Sequence, residues 1–301
     1  MEKQRKAWIS ASLSGTVPGL GQLYNGNIRL AIILGALSVL FYSTIVLFCL
    51  DSFRGLLLAA TLASIFSVYA AIEAWRASKK LGVMALGKFQ KKRFYVLFLV
   101  AVTCSPEVLD LFTPPGDHFA TFSIPSQSMV PTLLIGDYVM ANGWAFARRE
   151  PERGEVIVFQ YPKDHDIRYV KRLIGLPGDV IEVRHNEIIL NGTKIEDKPG
   201  EAIQGDDGYP YRLFEETIGN RHFTVRKINN QAFMDRENFG PITVPAGQYF
   251  AMGDNRDRSS DSRYWGFIQK SELVGKMLYL YFSFDKENLQ MRWDRVGKEI
   301  Q

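Results

Sequence analysis

The sequence predicts a mainly β domain of antiparallel strands preceded by N-terminal membrane-spanning α-helices. Three observations carry this. The first third of the chain holds long runs without charge, basic residues cluster around those runs, and the remainder breaks into short β-branched and aromatic stretches between turn signals.

Residues 30–50, LAIILGALSVLFYSTIVLFCL, are 21 residues without a charge. At about 1.5 Å per residue, a helix of that length crosses a hydrocarbon core of about 30 Å. Residues 55–72, GLLLAATLASIFSVYAAI, add 18 more, after the short loop DSFR. Two such runs so close together read as a transmembrane hairpin rather than as buried core helices. A third run, 94–106, has only 13 uncharged residues before Glu107 and Asp110. With those carboxylates at the far interface, the span extends to about residue 112.

Charge placement sets the orientation. Arg76, Lys79, Lys80, Lys88, Lys91, Lys92 and Arg93 lie between the second and third runs, with no acid among residues 76–93, and Lys3, Arg5, Lys6 and Arg29 precede the first. The positive-inside tendency puts both segments in the cytoplasm. The polar, Gly-interrupted start, AWISASLSGTVPGLGQLYNGN, is unlike a cleavable leader. It is similar to the PGLGQxYNG lead-in of some small bacterial membrane-hairpin domains, which implies embedding but no chemistry. The expected organisation is a cytoplasmic or interfacial N-terminus at 1–29, a transmembrane hairpin at 30–75, a basic cytoplasmic loop at 76–93 and a third anchor at 94–112. An extracytoplasmic β-rich domain then fills 113–301. With two crossings instead of three, that domain would stay in the cytoplasm.

Composition excludes several classes. A net charge of +4 does not suggest nucleic acid as a partner. Cys49 and Cys104 both fall in apolar runs, which leaves the polar part without a disulfide, and no C-x-x-C occurs. His118, His165, His185 and His222 lack metal-ligand spacing, so no metal is predicted.

Past residue 112, TPPG marks a linker, and DYVMA, EVIVFQY, RYVKRLI, DVIEV, EIILNG, QYFAMG and KMLYLYFSF read as strands separated by GLPGD, NGT and VPAGQ. Asn191-Gly192 fits a tight hairpin turn. Residues of about 200–240 are polar and turn-rich, as expected of an inserted subregion.

Three stretches bear on chemistry. In IPSQSMVPTLLIGD, prolines 125 and 131 impose an irregular turn that can present a serine hydroxyl and free backbone N–H groups. A lone S-x-S is far more often just a turn, and a serine nucleophile needs an adjacent base. No histidine is paired with an acid in a motif, and G-x-S-x-G is absent. The other available base is a lysine deprived of water. In DIRYVKRLIGLPGDVI, strand alternation puts Lys171 on the face of Tyr169 and Leu173, opposite Val170, Arg172 and Ile174. Burial there would lower its pKa, although a lone strand lysine is usually an exposed one. In GDNRDRSSDSRYWGF the spacing of a calcium loop is missing, and acids and arginines that pair to fix a turn describe it better.

Together and in this order, SIPSQSMVPTLLIGD, RYVKRLIGLPGD and MGDNRDRSSDSRYWGF resemble the successive boxes of bacterial type I signal peptidases, across about residues 120–285. The resemblance implies a membrane-bound serine endopeptidase with an antiparallel β catalytic domain. Such an enzyme removes N-terminal signal peptides from exported preproteins after small residues of Ala-x-Ala type and needs no cofactor. Position by position it implies Ser128 as nucleophile and Lys171 as general base. It implies Ser126, with the Ser128 N–H, as oxyanion hole, and Ser259 as the residue that orients the lysine. Asp254, Arg256, Asp261, Arg263 and Arg172 become structural charges, with Asp254–Arg172 and Asp261–Arg263 as expected pairs. Ile124, Met129, Leu133, Val170 and Tyr169 become the substrate pocket. Implied partners are signal-peptide-bearing preproteins, the lipid bilayer and the export translocon. The implied location is the bacterial inner membrane, multi-pass, with the catalytic domain on the periplasmic side. A peptidase dedicated to one precursor and an inactive membrane scaffold are the competing readings. A self-cleaving repressor-type Ser–Lys protease would be soluble and carry a DNA-binding helix pair.

Overall fold

A computed structural model describes residues 2–45, 51–81, 83–85, 88–103, 118–147, 149–205, 207–229 and 238–301. The chain divides into two compact units, Met1–Pro115 and Gly116–Gln301.

In the first unit, β1 (Glu2–Gln4) pairs antiparallel with β2 (Val83–Ala85). Helices α1 (Ala7–Thr16), α2 (Leu20–Tyr24), α3 (Ile28–Thr44), α4 (Phe53–Lys80) and α5 (Lys92–Thr103) make up the rest. The caps are legible: the Asn27 side chain accepts from the Leu30 N–H, and Ser52 accepts from the Gly55 N–H. Helix α4 is long and apolar enough to cross a membrane, while α3 is apolar but only 17 residues long. The end of the first expected span, 46–50, and of the third, 104–112, lie outside the described residues.

The expected basic loop begins late. Helix α4 continues to Lys80, which places Lys79 and Lys80 in its last turn, where cations suit the helix dipole. The polar lead-in is also more structured than its composition suggests. Ser14 Oγ donates to Gln22 Oε1 at 2.5 Å, and Gln22 Nε2 donates to the Ala70 carbonyl at 3.0 Å and to Glu73 Oε2 at 2.7 Å. Asn25 Nδ2 reaches the Ala74 carbonyl at 2.8 Å. Gly21 is required there, because an added Cβ would lie 2.1 Å from the Ser10 carbonyl oxygen.

The second unit is antiparallel β. Its strands are β3 (Phe119–Ser123), β4 (Asp137–Asn142), β5 (Val156–Tyr161), β6 (Asp164–Gly175), β7 (Val180–Arg184), β8 (Glu187–Leu190), β9 (Thr193–Lys194) and β10 (Glu196–Gln204). They continue as β11 (Pro210–Ile218), β12 (Arg221–Ile228), β13 (Phe239–Thr243), β14 (Gln248–Met252), β15 (Ile268–Gln269), β16 (Leu273–Asp285) and β17 (Gln290–Met291). The main sheet has the order β15-β14-β6-β5-β16-β4-β3, with β17 on β16. Strand β5 is buried along Val156–Phe159, which explains its unbroken apolar run, whereas β4 alternates buried and half-buried positions. A second sheet runs β13-β7-β8-β9. Its β8–β9 turn is Asn191-Gly192, with φ of 53° and 78°, the positive values that a two-residue hairpin needs.

The turn-rich expectation for 200–240 is corrected. Residues 196–228 form a third sheet, β10-β11-β12, and 230–237 lie outside the described residues. Composition misled here because this sheet buries charge in pairs: Glu216 against Arg256, and Lys227 against Asp197.

Candidate active site

Ser128 stands in the turn that follows β3. That turn is tied to its surroundings through the backbone. The Ile124 N–H donates to the Asp137 carbonyl at 2.9 Å, and the Leu133 N–H to the Met129 carbonyl at 2.9 Å. From the opposite side, the Asn255 N–H donates to the Ser128 carbonyl at 3.1 Å and Asn255 Nδ2 to the Gln127 carbonyl at 3.0 Å. The serine hydroxyl is thus carried on a backbone fixed at both of its carbonyls.

Strand β6 brings Lys171 to it. Lys171 Nζ donates to Ser128 Oγ at 2.8 Å and to the Val170 carbonyl at 3.1 Å. Only 4 % of the lysine is exposed. Burial pushes its pKa down to about 8, against a smaller upward pull from the Asp261 and Asp254 carboxylates. Ser126 Oγ lies 3.3 Å from Ser128 Oγ.

The third stretch forms the back of the site. Met252 pairs with Arg172 across β14 and β6, so the loop from Gly253 emerges beside the lysine. Arg172 grips Asp254 with two hydrogen bonds, Nε to Oδ1 at 2.8 Å and Nη2 to Oδ2 at 2.7 Å. Both side chains are fully buried, and Thr132 Oγ1 also donates to Asp254 Oδ2. Asp261 accepts from Arg263 Nε at 2.8 Å and from the Gly253 N–H at 3.1 Å, which closes the loop. Burial alone would raise the Asp261 pKa, but the Arg263 charge and these hydrogen bonds hold it below the usual range. Both expected pairs are therefore present, while Arg256 pairs outside the loop, with Glu216.

Ser259 sits differently from the expectation. The hydrogen bonds of Lys171 Nζ go to Ser128 and Val170, and Ser259 Oγ is buried without a well-formed hydrogen bond among the described residues, near the Asp261 carboxylate. It packs against Gly253, where an added Cβ would meet Ser259 Oγ at 2.2 Å and the Ser128 carbonyl oxygen at 2.4 Å. Among the described residues, no group of three His, Cys, Asp or Glu side chains is arranged to hold a metal ion.

A signal peptidase (peptidase S26) family profile matches residues 96–282. Signal peptidase I of Buchnera aphidicola subsp. Acyrthosiphon pisum is 32% identical over 265 residues, covering 70% of this chain and 84% of that protein. Signal peptidase I of Rickettsia typhi is 37% identical over 191 residues, covering 54% and 71%. That of Pseudomonas aeruginosa is 33% identical over 237 residues, covering 70% and 78%. The chain belongs to the signal peptidase S26 family. As a signal peptidase it is a hydrolase that removes signal peptides.

The signal peptidase unit has a cleft of about 430 Å³ along these residues. Of the expected pocket residues, Ile124, Met129, Tyr169 and Val170 line it. Leu133 does not: it is fully buried in the core beneath, packed with Val139 and Met277. Sequence reasoning passed over Phe122, Ile167, Arg168, Arg258 and Ser260, which also line the cleft, and Asn255, which holds the serine backbone. Asn255 lay within the third stretch, but nothing local marks an amide that works through the backbone of a residue so distant in sequence.

Proposed function

We propose that Ser128 is the nucleophile and Lys171 the general base of a Ser–Lys dyad that cleaves preproteins after small residues. The observation that carries this reading is the 2.8 Å contact between Ser128 Oγ and a lysine nitrogen that is buried and lowered to about 8. With Nζ neutral, the same contact reverses, and the serine O–H donates to the lysine lone pair. Lys171 takes the proton as Oγ attacks the scissile carbonyl. The Ser126 hydroxyl and the Ser128 N–H then face the developing oxyanion. The Lys171 ammonium returns the proton to the leaving amine. The neutral lysine next takes a proton from water, the resulting hydroxide attacks the ester, and the lysine gives that proton to Ser128 Oγ as the serine leaves. Ser259 enters the proposal as a residue that positions the dyad by packing at Gly253, beside the Ser128 carbonyl, rather than through a hydrogen bond to Lys171 Nζ.

Two sheet edges frame the substrate path. Strand β3 ends the main sheet, and β6 pairs with β14 only from Arg172 onward, which leaves 164–171 open on that side among the described residues. An extended signal-peptide segment adds there as a strand. Ile124, Met129 and Val170 below it admit small side chains at the first and third positions before the bond.

The proposal extends to topology: three spans, with the second unit on the periplasmic side of a bacterial inner membrane, where exported precursors and the translocon meet it. Helix α4 supports membrane anchoring, and confinement of enzyme and precursor to one bilayer raises their effective concentration. The test is cleavage of an Ala-x-Ala preprotein in detergent and lipid by the native enzyme, Ser128→Ala and Lys171→Ala. Cleavage at the expected bond, lost in both variants, supports the dyad; cleavage that survives Ser128→Ala sinks it.

A further inference from the structure

The dyad does not account for Arg258. This residue lines the cleft and is 43% exposed at its side chain, yet it is held in place. Its guanidinium lies 4.3 Å from the centre of the Tyr209 ring, and Asp207 approaches its Nε only at 4.0 Å. Both partners come from the β10–β11 hairpin tip of the third sheet, whose charged interior reads poorly as a mere insertion. That sheet is tied to the catalytic loop, with the Arg226 N–H donating to the Asp254 carbonyl at 2.9 Å and the Arg256 N–H to the Arg226 carbonyl at 3.0 Å. The hairpin thus stacks and orients a cation at the cleft without neutralising it fully.

The end of the cleft that Arg258 occupies follows from its neighbours. Ser259 and the Ser128 carbonyl both pack at Gly253, so Arg258 and Ser260, on either side of Ser259 in the chain, enter the cleft from the loop that backs the nucleophile. Apolar lining comes from Phe122 on β3, with Arg168 over its ring at 5.7 Å, and from Ile167, which lies four residues before Lys171 on an extended strand, about 13 Å at 3.3 Å per residue. Small residues before the scissile bond take that apolar side. The first residues after the bond therefore leave across Arg258.

We propose that Arg258 is a specificity-determining residue that favours a carboxylate side chain just after the cleavage site. The inference rests on the Ser128–Lys171 reading above, which fixes where the scissile bond lies. A half-exposed cation offers a modest preference, because solvent screens it, and its effect is on choice among precursors rather than on the chemical step.

The test uses full-length enzyme in lipid–detergent micelles and three precursors that differ only at the second residue after the bond, Glu, Gln or Lys. For the native enzyme, kcat/KM for Glu should exceed that for Lys by about threefold to fivefold at low salt, the size expected of a partly exposed pair, and the ratio should shrink at high salt. Arg258→Gln should bring the ratio close to one, and Arg258→Glu should invert it. A ratio that is the same in all three proteins overturns the proposal. A preference for Glu that Arg258→Glu fails to reverse overturns it too, because another group would then read the charge. Absence of any Ser128-dependent cleavage by the native enzyme is a different result: it removes the underlying dyad.

Discussion

Strand β6 buries two neighbouring cations on opposite faces, and their surroundings treat positive charge in opposite ways. Arg172 meets the Asp254 carboxylate with two hydrogen bonds and gives a third to the Gly154 carbonyl, so its charge is compensated. Lys171 meets a hydroxyl and a single carbonyl, and its ammonium form is compensated by neither. The difference teaches what makes a base: the same desolvation that an ion pair offsets at Arg172 is left standing at Lys171, where it frees a lone pair near neutral pH. The asymmetry also divides the work. One face holds the loop in place, and the other does chemistry.

The largest effect should come from the uncompensated face. Ser128→Ala and Lys171→Ala should each lower kcat/KM for an Ala-x-Ala precursor by about 10⁴-fold or more, and the double variant should fall no further, since the two groups act as a unit. Additive losses measured in single-turnover assays would show that they work separately. On the compensated face the loss should be of stability. Asp254→Asn leaves a buried guanidinium half-met and should cost about 3–5 kcal/mol in chemical denaturation. A cost below 1 kcal/mol would mean that the pair is not what holds the loop.

Ser126→Ala tests the hydroxyl beside the nucleophile. It should lower kcat by about 10²-fold with little change in KM, as expected for a donor that matters only in the transition state. A rise in KM at unchanged kcat would make Ser126 a substrate-binding group instead.

The smallest effect is a linkage. Below pH 8 Lys171 is protonated in both the folded and unfolded chain, and the fold bears the cost of burying it, at most about 3 kcal/mol. Between about 8 and the ordinary lysine value the folded chain sheds the proton while the unfolded chain keeps it, so stability rises with pH across that window. Lys171→Met should be more stable than the native protein at pH 7, and the gap should narrow by pH 10. Parallel stability curves for the two proteins would show that the lysine is solvated.

Much of this asymmetry was legible in the sequence because it rests on strand alternation. Period two puts Lys171 and Arg172 on opposite faces, and the stretches that resemble signal peptidase boxes supplied Ser128, Asp254 and Asp261. Leu133 was misplaced because its spacing from Ser128 runs through a turn, where alternation gives no face. Residues of about 200–240 read as a polar, turn-rich insertion because Glu216, Arg226 and Lys227 look solvated in one dimension; only contacts across sheets show why they are buried. Ser259 could be located in its loop but not oriented, since a hydroxyl's partner is set by rotamer and packing rather than by spacing. Helix α4 outran its apolar core for a similar reason, because Arg76, Lys79 and Lys80 continue a helix as readily as they end one.

The central claim is that burial lowers Lys171 to about 8, far enough for it to act as a base near neutral pH, because no carboxylate among the described residues is hydrogen-bonded to its Nζ. Heteronuclear NMR titration of the lysine Nζ groups, in the full-length protein in micelles, measures this directly. The account predicts one lysine signal titrating near 8, absent from Lys171→Met and still present in Asp254→Asn. Lysine signals that all titrate above 10 would contradict it, and the proton would have to be taken from Ser128 by some other group.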